Sequence, residues 1–456
     1  MEFRRVHDWI DNVFAKHLGK TQEFLRLRSI SRENVGLTET ARWLKAYIED
    51  LGGYVELTGR NEAPIIFTRF DLGKPKTLLV YGMYDTHPVG GQIWNSPPFG
   101  ADIKEVPGIG PCIIARGACN SKGPLMGFLN AVQAIRKVDE IPVNLILTIE
   151  GEEEIGSPTL PVFYKQNKQR LKADAGFEPF WAEYGTDVDR PTLPLGTKGI
   201  VALELTCRGG EWGGPVVRPV HSSVGAWLAS PSLRLIKALG TLFDEDEEIG
   251  IEGFYEQVAP PRAEDEELLV RMGATFDEKK ILGLMGAKRF KFDLHGVNLL
   301  RKYFYSPTLN VSLLAQSDGD TIPSEAKAEL VIRLVPEMDP DRTVEEVRRY
   351  LTAKGYGDIE ISTLSRYPWA RTSIKEKVVQ CLIGTYQYHG VEPQILPFSV
   401  SASPYYLFSQ VLGIPYVSGG LGQAGGSHTS DEYASVEGLK LFEKSIVTFL
   451  YKLAMS

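Results

Sequence analysis

Four carboxylates follow a largely apolar segment of the chain. Residues 143–149 carry five aliphatic side chains, and Glu150, Glu152, Glu153 and Glu154 come directly after them. Carboxylates this close repel one another, so we expect a positive charge to compensate them. The alternative is an acidic loop in contact with solvent.

Two further segments carry residue types that bind metals or transfer protons. Asp85 and His87 lie four and six residues beyond the end of the apolar run 77–81, although an ordinary turn would also explain this pair. His428 follows Gly425 and Gly426 and has carboxylates just beyond it. A glycine-rich turn that ends in a helix N-cap is the alternative for this third segment.

Alternating strands and helices must position these groups. Short apolar runs at 63–67, 77–81 and 143–149 predict buried strands, and residues 123–138 have helical periodicity between the last two. This alternation is typical of a mostly parallel sheet. The chemistry is then expected at the carboxyl ends of the strands.

A second region begins near residue 200. Alternating segments at 200–206 and 326–336 predict strands, and helices are predicted at 224–242 and 344–354, so we expect a small inserted α+β domain. A helix at 374–388, a strand at 416–417 and a helix at 436–453 indicate that the first domain then resumes. The predicted division is a catalytic domain in two parts, 1–199 and 368–456, with an inserted domain at 200–367.

Composition restricts the classes of partner. The 456 residues contain 50 Lys and Arg against 58 Asp and Glu, and the net charge of -8 disfavours nucleic acid. Acidic runs at 244–248 and 264–267 predict solvated faces. No apolar run approaches the roughly 20 residues of a membrane span. The four scattered cysteines suggest neither a disulfide framework nor a zinc knuckle, so a cytoplasmic location is expected.

Six segments resemble, in order, motifs of the metallopeptidase and deacylase family of carnosinase, acetylornithine deacetylase, succinyl-diaminopimelate desuccinylase and glutamate carboxypeptidase. Residues 78–88 resemble a strand followed by H-x-D, 116–124 resemble R-G-A-x-D-x-K-G, and 150–158 resemble E-G-x-E-E-x-G-S. The other three segments are 219–223, residues 322–323 with 333–336, and 427–429. The resemblance implies an α/β fold, with a mostly parallel-sheet catalytic domain and an inserted α+β lid or dimerisation domain.

The same resemblance implies residue roles. It makes Glu153 the general base and Glu154 a metal ligand, beside one or two divalent ions of zinc, manganese or cobalt. It places His221 in the partner subunit's site of a homodimer, where it stabilises the oxyanion, although a turn histidine is the alternative. Asn310 and Arg333 are the implied substrate-binding residues, and Arg333 is matched to a substrate carboxylate.

The chain departs from the family at two metal ligands. Met83 stands where the first metal histidine is expected, and Asn120 stands where the bridging aspartate is expected. A thioether is a poor zinc ligand, and a neutral amide cannot neutralise two dications. One ion held by Glu154, His428 and either Asn120 or Glu178 is the expected outcome.

Two other residues bear on this altered site. Asp85 is retained and is counted with Glu153 and His221 as catalytic, because in the family it orients the histidine that is missing here. His87 lies two residues beyond Asp85 and is a candidate to replace that imidazole.

The expected activity is metal-dependent hydrolysis of a carbon–nitrogen bond in a small substrate with an amide or amide-like group. An aminohydrolase that uses one metal and a relative that binds a ligand without turnover remain as alternatives. Residues 398–404 differ from the Glu-Gly-Gly-Ser stretch of many relatives, so a substrate preference unlike that of a standard dipeptidase is expected. Neither nucleic acid nor a membrane is an expected partner.

Overall fold

The computed structural model describes residues 3–182, 190–315 and 319–456. The α-helices in these ranges are α1 (Phe3–Arg26), α2 (Leu37–Asp50), α3 (Lys122–Val138), α4 (Leu160–Gln166), α5 (Pro231–Gly240), α6 (Ala263–Gly273), α7 (Glu278–Met285), α8 (Gly296–Tyr305), α9 (Pro340–Ala353), α10 (Lys377–Tyr388) and α11 (Val436–Ala454). Short 3-10 turns cover Ser31–Glu33, Glu153–Ile155, Ser222–Val224 and Phe254–Gln257, and a π-helix covers Leu407–Leu412.

The strands of the first 200 residues are β1 (Tyr54–Gly59), β2 (Pro64–Phe70), β3 (Thr77–Met83), β4 (Asp102–Val106), β5 (Gly110–Ile114), β6 (Asn144–Glu150), β7 (Ala175–Pro179), β8 (Thr192–Pro194) and β9 (Gly196–Thr197). The later strands are β10 (Gly199–Arg208), β11 (Val220–His221), β12 (Thr308–Ala315), β13 (Thr321–Ile322), β14 (Glu325–Leu334), β15 (Glu360–Tyr367), β16 (Ala370–Arg371), β17 (Gln394–Leu396), β18 (Tyr416–Gly419), β19 (Ala424–Gly425) and β20 (Tyr433–Ser435).

A six-stranded sheet organises the larger part of the molecule. Its strand order is β1-β2-β6-β3-β7-β18, and β6, β3, β7 and β18 run parallel to one another. Strands β3 and β6 are buried over nearly their whole length because helices cover both faces of the sheet. The predicted mostly parallel sheet is confirmed.

Two apolar clusters bury the faces of this sheet. Helices α1, α3 and α11 pack together on one face, where Val6 and Ile10 of α1 are fully buried with Phe128 of α3. On the other face, α4 and the π-helix contribute Tyr164 and Phe408 to a second cluster. The sheet therefore offers its strand ends, rather than its faces, to a ligand.

A four-stranded antiparallel sheet forms a separate unit of structure within residues 199–367. Its order is β12-β14-β10-β15, and its buried face carries alternate residues of β10 and β14. Helices α5 and α9 cover that face, so the unit has its own apolar cluster. The inserted α+β unit is thus present, and we propose the catalytic parts 1–199 and 368–456 on either side of it.

Two predictions about the inserted unit are wrong. The helix predicted from residue 224 begins only at Pro231, because Ser230 accepts a hydrogen bond from the Leu233 N–H and proline favours the first helical position. The acidic run 264–267 is not a solvated face, because Asp265 is buried against Arg371. None of the described helices combines the length and apolar composition that a bilayer-spanning segment needs.

Candidate metal centre and active site

The carboxyl ends of the four parallel strands meet at one edge of the central sheet. Met83 ends β3 and lies beside Glu150, which ends β6. On the other side of β3, Glu178 of β7 lies beside Ser418 of β18. Loops that begin at this edge carry the first two groups of candidate residues, as the sequence predicts.

The loop after β6 turns sharply to present two carboxylates. A Cβ atom at Gly151 would lie 2.3 Å from the Tyr84 ring, so only glycine lets the chain pass this ring. A short 3-10 turn then carries Glu153 and Glu154, and Gly156 ends the turn with φ of 90°. The turn directs both side chains towards the sheet edge.

Asp85 holds this turn in place. Its carboxylate oxygens accept hydrogen bonds from the backbone N–H groups of Glu153 and Glu154 at 3.2 and 3.0 Å. Burial and the nearby charge of Glu154 raise the pKa of Asp85 to about 7, against the opposing effect of hydrogen bonds that include one from Ser31. Asp85 is fully buried and does not line the site cavity, so we propose that it positions the turn without contacting substrate.

Three polar side chains converge beyond the turn. The Oε1 atom of Glu154 lies 3.0 Å from Nε2 of His428. The side-chain amide of Asn120 lies 3.1 Å from the same Glu154 oxygen and 2.9 Å from the His428 nitrogen. Residues from three distant parts of the sequence thus bring a carboxylate oxygen, an imidazole nitrogen and a side-chain amide within hydrogen-bond distance of one another.

The conformation of His428 is unusual for its residue type. Its φ is 63°, a left-handed value that residues other than glycine rarely adopt and that clusters at functional sites. The Gln92 side chain donates a hydrogen bond to the His428 carbonyl at 2.7 Å. Hydrogen bonding to Glu154 raises the pKa of His428 above its ordinary value.

A buried ion pair that sequence reasoning missed supports this site. Glu432 and Arg116 are both fully buried, and Glu432 Oε2 lies 2.7 Å from Arg116 Nη1. The other Glu432 oxygen accepts hydrogen bonds from the backbone N–H groups of Cys119 and Asn120. Arg116 also donates to Gln92, so the pair ties the Asn120 loop to the His428 loop. The sequence signals were the position of Arg116 in the segment 116–124 and that of Glu432 among the carboxylates just beyond His428.

A cavity of about 270 Å³ lies against this convergence. Four of the candidate ionisable residues line it together with several hydroxyl groups, of which Thr192 was not a candidate in the sequence and Ser401 and Ser403 belong to the segment 398–404 that departs from the family. The principal polar residues in its wall are Asn120, Glu153, Glu178, Arg333, His428, Thr192, Thr197, Ser399, Ser401, Ser403 and Ser418. The volume suits a substrate of small size.

Negative charge dominates the interior of the cavity. Burial, followed by the charges of Glu154, Asp85, Glu150 and Glu178, raises the pKa of Glu153 well above its ordinary value. No described lysine or arginine forms an ion pair with Glu153. A cation would relieve this repulsion, as the four carboxylates of the sequence suggest.

The donor atoms do not fit the family's two-ion arrangement. Met83 is buried in the cavity wall and offers only a thioether where an imidazole is needed. Asn120 is neutral, and the peptide bond that follows it is cis. The ligand set for a second ion is therefore incomplete.

Within the described residues, no three His, Cys, Asp or Glu side chains are arranged to hold an ion. Asn120 is the third polar side chain that contacts both Glu154 and His428, which makes it, like Glu178, a candidate third ligand. The side-chain amide of Asn120 directs its nitrogen towards both Glu154 and His428. Rotation of the amide would present its oxygen as a ligand, a donor type that divalent ions accept in proteins.

His87 lies against this group without completing it. Its ring stacks on the ring of His428, with the centroids 4.8 Å apart and the planes 22° from parallel. Its Nδ1 atom contacts the carbonyl of Pro88. The two imidazoles therefore meet face to face, and replacement of the missing histidine by His87 stays a prediction.

Arg333 and Glu178 occupy the cavity wall as expected for site residues. Arg333 lies on β14 of the inserted unit, where burial lowers its pKa, and it forms no ion pair with a described carboxylate. Glu178 accepts a hydrogen bond from Ser418 at 3.0 Å. The cavity thus joins the central sheet to the inserted unit, with a free guanidinium on the inserted side.

Of the predicted site residues, Asp85, Glu154, His221 and Asn310 do not line the cavity of this chain, and the last two lie on the inserted unit. The side chain of His221 is 69% exposed and its Nε2 atom is 3.8 Å from Asp320. Asn310 is exposed on β12, an edge strand of the inserted sheet. Neither residue lines the cavity in the described structure. A role in the site would need a second copy of the chain.

The sequence matches Peptidase family M20/M25/M40 over residues 79–452. It is similar to a solved M20 family metallo-carboxypeptidase, Sso-CP2 from Sulfolobus solfataricus, with 30% identity and a TM-score of 0.86. That comparison covers 96% of this chain and 99% of the other chain.

Two relatives of known name extend the comparison. Cys-Gly metallodipeptidase DUG1 of Saccharomyces cerevisiae is 30% identical over 64% of this chain, and the match spans 60% of that enzyme, less than two thirds of its length. The Beta-Ala-His dipeptidase of Homo sapiens is 25% identical over 83% of this chain and 76% of that enzyme.

Proposed function

Because the chain belongs to peptidase family M20/M25/M40, we propose that it hydrolyses an amide or peptide-like carbon–nitrogen bond in a small substrate with one divalent metal ion. The convergence of Glu154, His428 and Asn120 beside Glu153 carries this proposal. Two relatives are named dipeptidases and a third is described as a metallo-carboxypeptidase, which supports a short peptide as substrate. Zinc, manganese and cobalt all suit this mixed oxygen and nitrogen donor set.

Glu154, His428 and Asn120 would hold the ion. When bound, a divalent ion lowers the pKa of a water molecule and polarises the scissile carbonyl group. Glu153 lines the same cavity and accepts the proton of the attacking water, then returns it to the leaving nitrogen. Asp85 fixes the turn that carries Glu153 and Glu154 through its two backbone hydrogen bonds.

The two remaining groups act on the substrate. Arg333 has no carboxylate partner among the described residues and binds a substrate carboxylate through its planar guanidinium. His221 reaches the site of a second copy and donates a hydrogen bond to the oxyanion, and exposed Asn310 assists from the same copy. This proposal makes the active protein a homodimer, formed through the inserted units.

Exposed apolar side chains support such an interface. Trp227 is 86% exposed in the inserted unit, and Leu233 and Ile236 of α5 are 59% and 46% exposed. Leu313 and Leu314 of the edge strand β12 are also exposed. Exposed apolar side chains in such number are common at interaction surfaces.

An aminohydrolase that uses one ion is the second candidate. The incomplete ligand set at Met83 and Asn120 favours it, because removal of an amino or imino group from an activated carbon needs one activated water. Product analysis separates the two reactions. Release of ammonia indicates the aminohydrolase, whereas release of two organic products, including a free amino acid, indicates amide hydrolysis.

Turnover of a panel of dipeptides and N-acyl amino acids tests the proposed function. In Glu153→Gln, kcat should fall by at least about 100-fold while the metal content stays unchanged, because only proton transfer is lost. Glu152→Gln is the matched control, since Glu152 pairs with Arg60 and does not line the cavity. Equal turnover in Glu153→Gln and the unmodified enzyme would exclude Glu153 as the general base, whereas binding of a dipeptide without turnover by the unmodified protein would favour the relative that only binds a ligand.

A further inference from the structure

A second cavity, of about 500 Å³, adjoins the site cavity. The two cavities share the wall residues Thr192 and Ser399. Fourteen described residues line the second cavity, and the twelve others are all aliphatic or aromatic. Apart from the phenol of Tyr303, the lining of this cavity, which we call the apolar groove, is polar only where it meets the site.

The floor of the apolar groove is tightly packed. Leu300 and Phe304 of α8 and Phe398 are each about 1% exposed. The rings of Phe304 and Phe398 meet edge to face, with centroids 5.7 Å apart. Such packing gives the floor a fixed shape that an apolar group can fit without rearrangement.

The rim of the apolar groove is open to solvent. Leu284 and Met285 at the end of α7 are 66% and 63% exposed, and no charged side chain is among the described lining residues. An apolar groove of this size that faces water marks a ligand-binding site more often than a structural accident.

The helices that form the apolar groove are fixed to the candidate active site. Lys198 donates hydrogen bonds from its amine to the carbonyls of Tyr303 and Ser306 at the end of α8, at 2.9 and 2.8 Å. Its backbone N–H donates to Ser399, which both cavities share. The groove therefore keeps a constant position relative to Glu153 and Arg333.

The segment that differs from the family supplies part of the groove. Phe398, Ser399 and Val400 belong to residues 398–404, and all three line the groove. The segment that departs from the family sequence thus forms part of the wall of the apolar groove. This coincidence connects the groove to substrate preference and not to stability alone.

We propose that the apolar groove is a subsite for a large apolar group, aromatic or branched aliphatic, on the same peptide-like substrate whose scissile bond lies at Glu153. The inference rests on the proposed function and names its substrate class. The substrate spans two chemically distinct spaces, with its charged end near Arg333 and its apolar group beyond Thr192 and Ser399.

Calorimetric binding of dipeptides to metal-loaded Glu153→Gln enzyme tests this subsite without turnover. Phe-Gly and Gly-Phe place an aromatic group on either side of the bond, and Gly-Gly lacks it. One of the two should bind at least about tenfold more tightly than Gly-Gly, because an apolar side chain leaves water. Adding Met285→Glu at the rim, or Val400→Trp to fill the groove, should remove most of this gain.

Met455→Glu is the matched control, because Met455 is 73% exposed at the far end of α11 and lies outside both cavities. The subsite would be overturned if all three dipeptides bound with equal affinity. It would also be overturned if Met285→Glu and Val400→Trp changed the affinity no more than Met455→Glu does. Either result would leave the proposed function standing. Failure of every dipeptide both to bind and to be hydrolysed by the unmodified enzyme would overturn the proposed function and the subsite together.

Discussion

Glu154 and His428 are 274 residues apart in the chain, yet Oε1 of one lies 3.0 Å from Nε2 of the other. The loop after β6 brings the carboxylate, and a left-handed residue after two glycines brings the imidazole. Asn120, in the loop before α3, contacts both of these side chains. This contact is the basis for the one-ion site that we propose.

Restoring the two absent ligands should restore a second ion. The double variant Met83→His with Asn120→Asp supplies an imidazole in the cavity wall that also contains Glu178, and a carboxylate that can bridge two ions. We expect bound metal to rise from about one to about two ions per chain, measured by elemental analysis. Asn120→Asp alone is the control and should keep about one ion. A double variant that also keeps one would show that the altered ligands do not limit stoichiometry.

Arg333→Met should weaken the binding of substrates with a free carboxylate. We expect KM to rise by about 10- to 100-fold with a smaller change in kcat, because a charge-assisted contact to the bound substrate is lost. A substrate whose carboxylate is amidated should respond little to the variant. Arg366→Met is the control, since Arg366 pairs with Asp341 outside the cavity. Equal KM changes for both substrates would exclude carboxylate binding by Arg333.

Mixing two inactive variants tests the role of His221 in a second copy. His221→Asn and Glu153→Gln each inactivate every site in their own homodimers. After subunit exchange at equal amounts, about a quarter of the unmodified activity should return, because half the dimers are mixed and each has one intact site. The control is a mixture of the two variant homodimers that is assayed before their subunits have exchanged. If activity stays absent while mixed dimers form, His221 does not act across the interface.

Glu432→Gln should destabilise the whole protein. The change leaves the Arg116 charge fully buried without its carboxylate, so we expect the free energy of unfolding to fall by about 3–5 kcal/mol in denaturant titrations. Metal affinity should fall as well, because Glu432 holds the backbone at Asn120. Glu140→Gln removes an exposed pair with Lys74 and should cost under about 1 kcal/mol. Similar losses in both variants would contradict the importance of the buried pair.

The positions of Glu153, Glu154 and the central strands could be predicted from the sequence. Strand periodicity and the rule that parallel strands end at one edge were sufficient for this. The pairing of Arg116 with Glu432 could not, because 316 residues separate the partners and no periodicity links them.

Other features depended on tertiary contacts in the same way. Asp265 lies in an acidic run typical of solvated faces, and only the position of Arg371 explains its burial. The apolar groove combines residues of α7 and α8 with residues near β17, and each segment alone resembles ordinary core. Sequence patterns thus identified the candidate catalytic and metal-binding residues. Contacts between distant parts of the chain determined which buried residues hold them in position.

Metal content per chain tests the central claim most directly. The protein is purified without chelator and analysed by elemental analysis, beside Glu154→Ala and the control Glu152→Gln. We expect about one ion per chain in the unmodified protein and the control, and none in Glu154→Ala, because the latter loses one of the three proposed ligands. Two ions in the unmodified protein, or none, would contradict the one-ion site.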